Sequence, residues 1–193
     1  MLAAVLDTCV LYSGVRRDFL LSMAAVGVFR VVISEDLLFE IQYVERRKLS
    51  DGGVPEAEAD RRAARLASTL AANFVIEEPA LVNAVRPVGL PDERDEHVVA
   101  AAIVGTADII VTDNVKDYPP ERMPAGIRVQ RPHEFLSSMV TTTPDQAAVA
   151  LREMSRRRRH PPQSELTLID LMLGKGQISD AAANLLRQNH IVF

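Results

Sequence analysis

The residues of this chain with chemical potential are its acids. Asp7 follows a short apolar run, Glu40 lies in a helical pattern, Asp92 and Asp95 open another, and Asp113 and Asp117 follow a second apolar run together with Thr112 and Asn114. Each has a bland explanation taken singly: Asp92 with Asp95 as a helix cap, Glu40 as a surface residue, Asp113 and Asn114 as turn formers. Jointly they describe carboxylates brought to one edge of a sheet. Like charges gathered that closely repel and raise one another's pKa unless a cation neutralises them. Carboxylate oxygens without a cysteine or histidine cluster favour a hard, octahedral ion, so Mg²⁺ or Mn²⁺ is the expected guest. One or two such ions in a carboxylate cage most often serve phosphoryl transfer. There the metal lowers the pKa of a bound water, orients the scissile phosphate and screens charge on the leaving oxygen.

The elements that must position these acids alternate between strand and helix. Residues 2–6, LAAVL, read as a buried strand ending at Asp7 and Thr8. A helix is expected over 15–26 and a β-branched strand over 28–34. Ser34 is placed to cap the helix EDLLFEIQYVERR, with Glu35 and Asp36 against its positive end and Leu37, Leu38, Ile41 and Val44 inward. Glu40 then lies about 90° from the centre of that stripe, flanking it. SDGGVP, 50–55, reads as a loop, and Pro55 begins a long helix. The segment 74–91, with Pro79, Pro87 and Pro91, carries no pattern that assigns its strands. Asp92, Asp95 and Glu96 fall on the first turn of a helix whose apolar positions are Val98, Val99, Ala102 and Ile103. ADIIV is a buried parallel strand, and the acids after it stand at its carboxyl end, where ligands bind in open α/β sheets. IRVQ after Gly126 suggests a last edge strand, and RPHEFLSSMV a closing helix.

Residues 1–140 therefore read as one α/β domain with a mainly parallel central sheet, and 141–193 as a small all-helical extension introduced by the linker TTTPDQ. The extension has helical patterns through Met154, over QSELTLIDLML and near SDAAANLLRQN, with a break at RRRRHPP. Its apolar positions Leu166, Ile169, Leu171, Met172, Leu185 and Leu186 suit packing on the body, pairing with another copy, or receipt of a partner helix.

Composition narrows the classes. A chain of 193 residues, 48% hydrophobic, can bury a full core. No apolar run approaches the roughly 20 residues of a membrane helix, and MLAAVLDTCVL lacks a positive leader region, so a soluble, cytoplasmic protein without a membrane partner is expected. The lone cysteine, Cys9, forms no internal disulfide and is assigned to packing. The net charge of −4 is uneven, because residues 141–193 hold seven Lys or Arg against five Asp or Glu. Arg156, Arg157, Arg158 and Arg159 form a run that reads equally as a solvated helix end and as a candidate RNA contact. Aromatics at 5% and no Trp argue against a base-stacking platform.

VLDTCVL at 5–11, SEDLLFEI at 34–41, PDERDEHVVAAAI at 91–103 and IIVTDNVKDYP at 109–119 resemble the PIN domain, and in particular the VapC-type ribonuclease toxins of bacterial toxin–antitoxin pairs. The resemblance covers roughly residues 1–138. It implies a three-layer α/β/α fold and Mg²⁺- or Mn²⁺-dependent hydrolysis of single-stranded RNA, with a cognate antitoxin blocking the site. It assigns Asp7, Glu40 and Asp95 to the family's first three acids, with Asp92 as the additional acid before the third. The fourth is Asp113 together with Asp117, ordered by the Thr112 hydroxyl beside Asn114. His97 takes a packing or supporting role. The attacking group is water, with no His, Ser or Cys nucleophile.

Three readings compete: an endoribonuclease toxin, a metal-dependent phosphatase or DNA nuclease on the same cage, and a non-catalytic binding module. Retention of every expected acid counts against the last. No G-x-G-x-x-G or Walker pattern follows a strand, which disfavours a nucleotide-binding dehydrogenase.

Overall fold

The computed structural model describes residues 1–12, 14–77, 79–159 and 161–190, with 75–77, 79–80 and 190 described by backbone alone. In chain order the elements are β1 (Ala3–Leu6), α1 (Gly14–Ala25), β2 (Arg30–Ser34), α2 (Glu35–Asp51), α3 (Glu56–Asn73), β3 (Val75–Glu77), α4 (Pro79–Asn83), α5 (Glu96–Val104), β4 (Ile109–Val111), β5 (Arg128–Gln130), α6 (Pro132–Thr142), α7 (Pro144–Arg157), α8 (Glu165–Gly174) and α9 (Asp180–His190). The architecture is α/β, a parallel central sheet flanked by helices, with helices following toward the C-terminus. Among the described residues no helix is long and apolar enough to cross a membrane.

Two compact units share the chain. One comprises Leu2–Tyr12 and Arg30–Val129; the other comprises Met1, Ser13–Phe29 and Gln130–Phe193. The first holds the sheet, in the order β3-β2-β1-β4-β5. β1 pairs in parallel with β2 and β4, and β2 with β3. Strand order therefore reverses at β1, and the carboxyl ends of β1 and β4 open side by side at a switch point. Register makes this specific. Leu6 pairs with Val111, so the next residues, Asp7 and Thr112, are neighbours at that edge. Continuously buried AAVL, VVI and IIV runs make these central strands, since a parallel strand covered on both faces needs apolar side chains in both directions.

Ser34 caps α2 as expected, its hydroxyl accepting from the Leu37 amide at 3.2 Å. Leu37 and Ile41 are buried, but Leu38 and Val44 are only half-buried, and α2 runs on through Ser50 and Asp51, which had read as loop. α2 packs against α3, which buries Ala59, Ala63 and Leu70, and Arg46 reaches across to Glu56 and Asp60. The unassigned stretch after residue 73 supplies β3 and α4. α5 contacts β1, β2 and β4. It buries Val98, Val99, Ala100, Ala101 and Ala102, while Ile103, expected inward, is 37% exposed.

The second unit is helical. Phe29 and Phe135 meet edge to face, with ring centroids 5.0 Å apart. The 141–146 segment, expected as a linker, is helical on both sides of Thr143. Pro144 cannot continue α6 but suits the first position of α7, so one residue makes the break. Ile169, Met172 and Leu186 are buried, while Leu166 is 45% exposed. His160, in the expected break before α8, lies outside the described residues.

Candidate active site

Asp7 is the most enclosed of the acids, 8% exposed. Its amide bonds to the Val111 carbonyl at 3.0 Å, which continues the β1–β4 ladder one residue past the strand. The Thr112 hydroxyl donates to Asp7 Oδ2 at 2.6 Å, and the Cys9 thiol donates to the same oxygen at 3.2 Å. Burial and then the Asp7 charge push the Cys9 thiol up to about 12, so at neutral pH it is a protonated donor. Cys9 thus belongs to the acidic edge rather than to general packing. Thr112, fully buried, also accepts the Asn114 amide at 3.0 Å. Its hydroxyl orders Asp7 across the strand ends, where sequence reasoning had aimed it at Asp113 and Asp117.

Glu40 approaches from α2. Thr8 Oγ1 donates to Glu40 Oε2 at 2.9 Å, and His97 Nε2 stands 3.6 Å from that oxygen. That distance makes an ion pair rather than a hydrogen bond. His97 Nδ1 meets the Arg94 carbonyl at 2.7 Å, which fixes the ring. His97, against the effect of burial and with help from Thr8 and Arg94, holds Glu40 below the usual carboxylate range. Burial opposes charge on His97, but the Glu40 carboxylate outweighs it and raises the imidazole.

Asp92 and Asp95 bracket a single 3₁₀ turn, Glu93–Asp95, that leads into α5. Asp92 Oδ1 accepts from the Arg94 amide at 3.0 Å, and its carboxylate forms a two-point pair with the Arg94 guanidinium at 3.0 and 2.7 Å. Arg94 holds the Asp92 carboxyl below its usual value. Asp95 is pushed the other way, up to about 6, by burial first and then by Asp7, Asp92 and Asp117. Like charges therefore converge on Asp95 from three segments of the chain. Asp117 ends the 3₁₀ turn Val115–Asp117 and is half-buried. Asp113 is exposed and meets the site through its backbone, the amide lying 3.4 Å from Cys9 Sγ. Asn114 is exposed as well.

Other acids nearby have structural tasks. Glu96 accepts from the amides of Val88, Gly89 and Leu90 at 2.7 to 2.8 Å, and those donors lower its pKa against the effect of burial. Asp108 Oδ2 accepts from the Ala3 amide at 2.8 Å, tying the start of β1 to the start of β4.

The donor set suits a hard divalent cation in kind, because it is carboxylate oxygen with mutual repulsion that a cation would relieve. It is not a closed shell: among the described residues, no three His, Cys, Asp or Glu side chains stand close enough to hold an ion as they are. A cleft of about 280 Å³ adjoins this edge, lined by Val82, Arg86, Val88, Arg94, His97 and Ala100.

The arginine run lies in the helical unit and is largely engaged there. Arg156 pairs with Glu153 at 2.7 Å, Arg157 donates to Ser22 Oγ at 2.5 Å, and Arg158 pairs with Asp18 and with Gln163 at 2.8 Å. Arg159 forms a backbone bridge with Pro162.

Sequence reasoning missed Thr8 and Arg94 and gave Cys9 the wrong task. Adjacency to Asp7 signals Thr8 and Cys9, and adjacency to Asp92 and Asp95 signals Arg94.

A family model of the PIN domain matches residues 3–116. The chain belongs to the PIN-domain family. No curated protein and no solved structure matches the sequence significantly. PIN domains are generally nucleases, hydrolases that bind nucleic-acid substrates and use divalent metals such as Mg²⁺. The matched PIN-domain span includes Asp7, Glu40, Asp92, Asp95, Thr112 and Asp113 and stops just short of Asp117 and Tyr118.

Proposed function

We propose that this PIN-domain protein is a Mg²⁺- or Mn²⁺-dependent endoribonuclease and acts as the toxin of a type II toxin–antitoxin pair. The observation that carries the nuclease reading is the convergence of Asp7, Asp92 and Asp117 on Asp95, which is raised to about 6. So many carboxylates around one half-buried acid are unfavourable unless a cation joins them. In this reading Asp7, Asp95 and Asp117 hold the cation, with Asp92 and Asp113 at its margin. When bound, the cation supplies an activated water and screens the charge that develops on the phosphodiester.

The chain's own residues do the rest. Thr112 and Cys9 both donate to one oxygen of Asp7, so the other would be the one offered to the cation. Glu40, held by Thr8 and His97, would serve as the acid beside the cation, and the Asn114 amide supports the turn after Thr112. Arg86 and Arg94 line the neighbouring cleft; the Arg86 guanidinium suits backbone phosphates there, while that of Arg94 is paired with Asp92. Arg156, Arg157 and Arg158 are a secondary contact for RNA at most, given their side-chain partners within the chain, and Arg159 is held through its backbone. The toxin assignment rests on the resemblance of the four acidic segments to VapC-type ribonucleases, and with it come a cytoplasmic location and a cognate antitoxin that covers the acidic edge. The helical extension, residues 141–193, is then available for pairing with a second copy.

The experiment is a parallel assay of total RNA, single-stranded DNA and a small phosphomonoester with Mn²⁺ and with EDTA, followed by end mapping. Discrete Mn²⁺-dependent cuts in RNA alone support the reading. Preferential attack on DNA or on the phosphomonoester replaces it with the alternative on the same acids.

A further inference from the structure

The cleft of about 280 Å³ shares its walls with the acidic edge. His97 lines it and stands 3.6 Å from Glu40, and the 3₁₀ turn Glu93–Asp95 gives it Glu93 and Arg94. A strand held at Asp95 therefore has the cleft as its neighbour. Val82, Val99 and Ala100 are buried and make the interior of the cleft apolar. Glu96 accepts from the Val88, Gly89 and Leu90 amides at 2.7 to 2.8 Å and so pins the loop that adds Pro87 and Val88 to the wall.

Size and lining select the occupant. Ligand pockets run from about 300 to 1,000 Å³, so this one takes a single flat ring system rather than a partner helix. Its charges cancel, Glu93 and Glu96 against Arg86 and Arg94, and an apolar interior without net charge suits a base better than a phosphate. Glu96 is occupied by the loop amides and Arg94 by Asp92. The side chains of Arg86 and Glu93 are exposed and have no hydrogen-bond partner among the described residues. The Glu93 carboxylate can only accept, whereas the Asn83 amide both donates and accepts and so does not discriminate. Cytosine offers an amino group to a carboxylate; uracil has a carbonyl oxygen at the same place and is repelled. An unstacked base read along its edge is also how sequence enters recognition of single-stranded RNA.

We propose that the cleft is a base-recognition subsite for the substrate strand, taking one unpaired base, cytosine in preference to uracil, with its amino group on Glu93 and its phosphate on Arg86. The inference rests on the nuclease reading above and adds a sequence preference to it.

Cytidine and uridine 5′-monophosphates differ only along that edge. Each is titrated into the methyl-¹³C-labelled full chain in EDTA and followed by NMR. The cytidine nucleotide is expected to shift the methyls of Val82, Val99 and Ala100 saturably, and the uridine nucleotide to bind roughly 10-fold more weakly. Ribose 5-phosphate, which lacks a base, is expected to leave those methyls in place. Glu93→Gln, at an exposed side chain, is expected to keep the wild-type melting temperature and bring the two affinities together, because its carboxamide also donates to uracil. Methyls that neither nucleotide moves, equal affinities in wild type, a response to ribose 5-phosphate like that to the cytidine nucleotide, or an unchanged ratio in Glu93→Gln overturns the subsite; Mn²⁺-dependent cutting of RNA by the same protein then leaves the nuclease reading standing. A wild type that takes the cytidine nucleotide in the cleft but cuts no RNA in Mn²⁺ overturns the nuclease reading and upholds the base site.

Discussion

Asp95→Asn should stabilise the cation-free protein above neutral pH and leave it unchanged in acid. Asp95 is raised from its ordinary 3.8 to about 6 by burial and by Asp7, Asp92 and Asp117. For an acid raised on folding, the folded state binds the proton more tightly than the unfolded chain. The associated stability is fully present below pH 3.8 and is lost as pH rises through about 6. Above that, the folded protein carries the full cost of a charged Asp95 among like charges. The interval corresponds to at most about 3 kcal/mol. Because the side chain is half-exposed, solvent screening reduces this to about 1 kcal/mol. The carboxamide introduced by Asp95→Asn has similar shape and no charge, so the variant escapes that cost. Urea unfolding in EDTA at pH 4, 6 and 8 measures the difference between the two proteins, which cancels the titration of groups they share. The expected result is equality at pH 4 and a gain of about 1 kcal/mol for Asp95→Asn at pH 8. Saturating Mn²⁺ should reverse the order, since a cation that binds only the folded state stabilises by about 2.7 kcal/mol at 100 times its Kd. Equal stability at pH 8, or a gain that persists at pH 4, would refute the convergence of charge on Asp95.

Thr112→Val keeps the shape of a fully buried side chain but removes the donor to Asp7 and the acceptor for the Asn114 amide, and should cost about 1–3 kcal/mol; an unchanged urea midpoint would show that the hydroxyl holds nothing. His97, raised by Glu40, should titrate above its ordinary 6.5 by NMR and fall toward it in Glu40→Gln. The stability from that pair is present below the ordinary imidazole value and lost as pH rises through the raised one, so above pH 6.5, where Glu40 is already ionised, a stability gain of wild type over Glu40→Gln that grows with rising pH would contradict it. Changing Arg156, Arg157 and Arg158 to glutamine should leave the salt dependence of RNA affinity nearly unchanged, because side-chain partners within the helical unit occupy them. A clearly shallower slope would restore them as phosphate contacts.

The elements and the edge were largely legible in the sequence, because parallel strands announce themselves as continuous apolar runs and Ser34 as a cap. The register of Leu6 on Val111 was not legible, yet it is what sets Thr112 beside Asp7. A hydroxyl within reach of several acids has no preference readable from spacing. The same limit hid the division of labour among acids: Glu96 looks like Asp95 in the sequence, but three loop amides occupy it. Asp113 and Asp117 both follow β4, and the 3₁₀ turn Val115–Asp117 leaves Asp117 half-buried, where its charge acts on Asp95, while Asp113 stays exposed. The end of α2 and the 141–146 segment were misread for a simpler reason. Ser, Asp and Thr favour turns locally, and helix continuation outweighed that preference.

The most direct measurement is cleavage of RNA by purified wild type and Asp7→Asn side by side in Mn²⁺, with circular dichroism confirming equal folding. Asp7 is enclosed, held by Thr112 and Cys9, and acts on Asp95, so no other single acid is as central to the edge. Discrete cuts by wild type that disappear in the folded variant and in EDTA are the expected result. Equal cleavage by both proteins would contradict the acidic edge as the active centre.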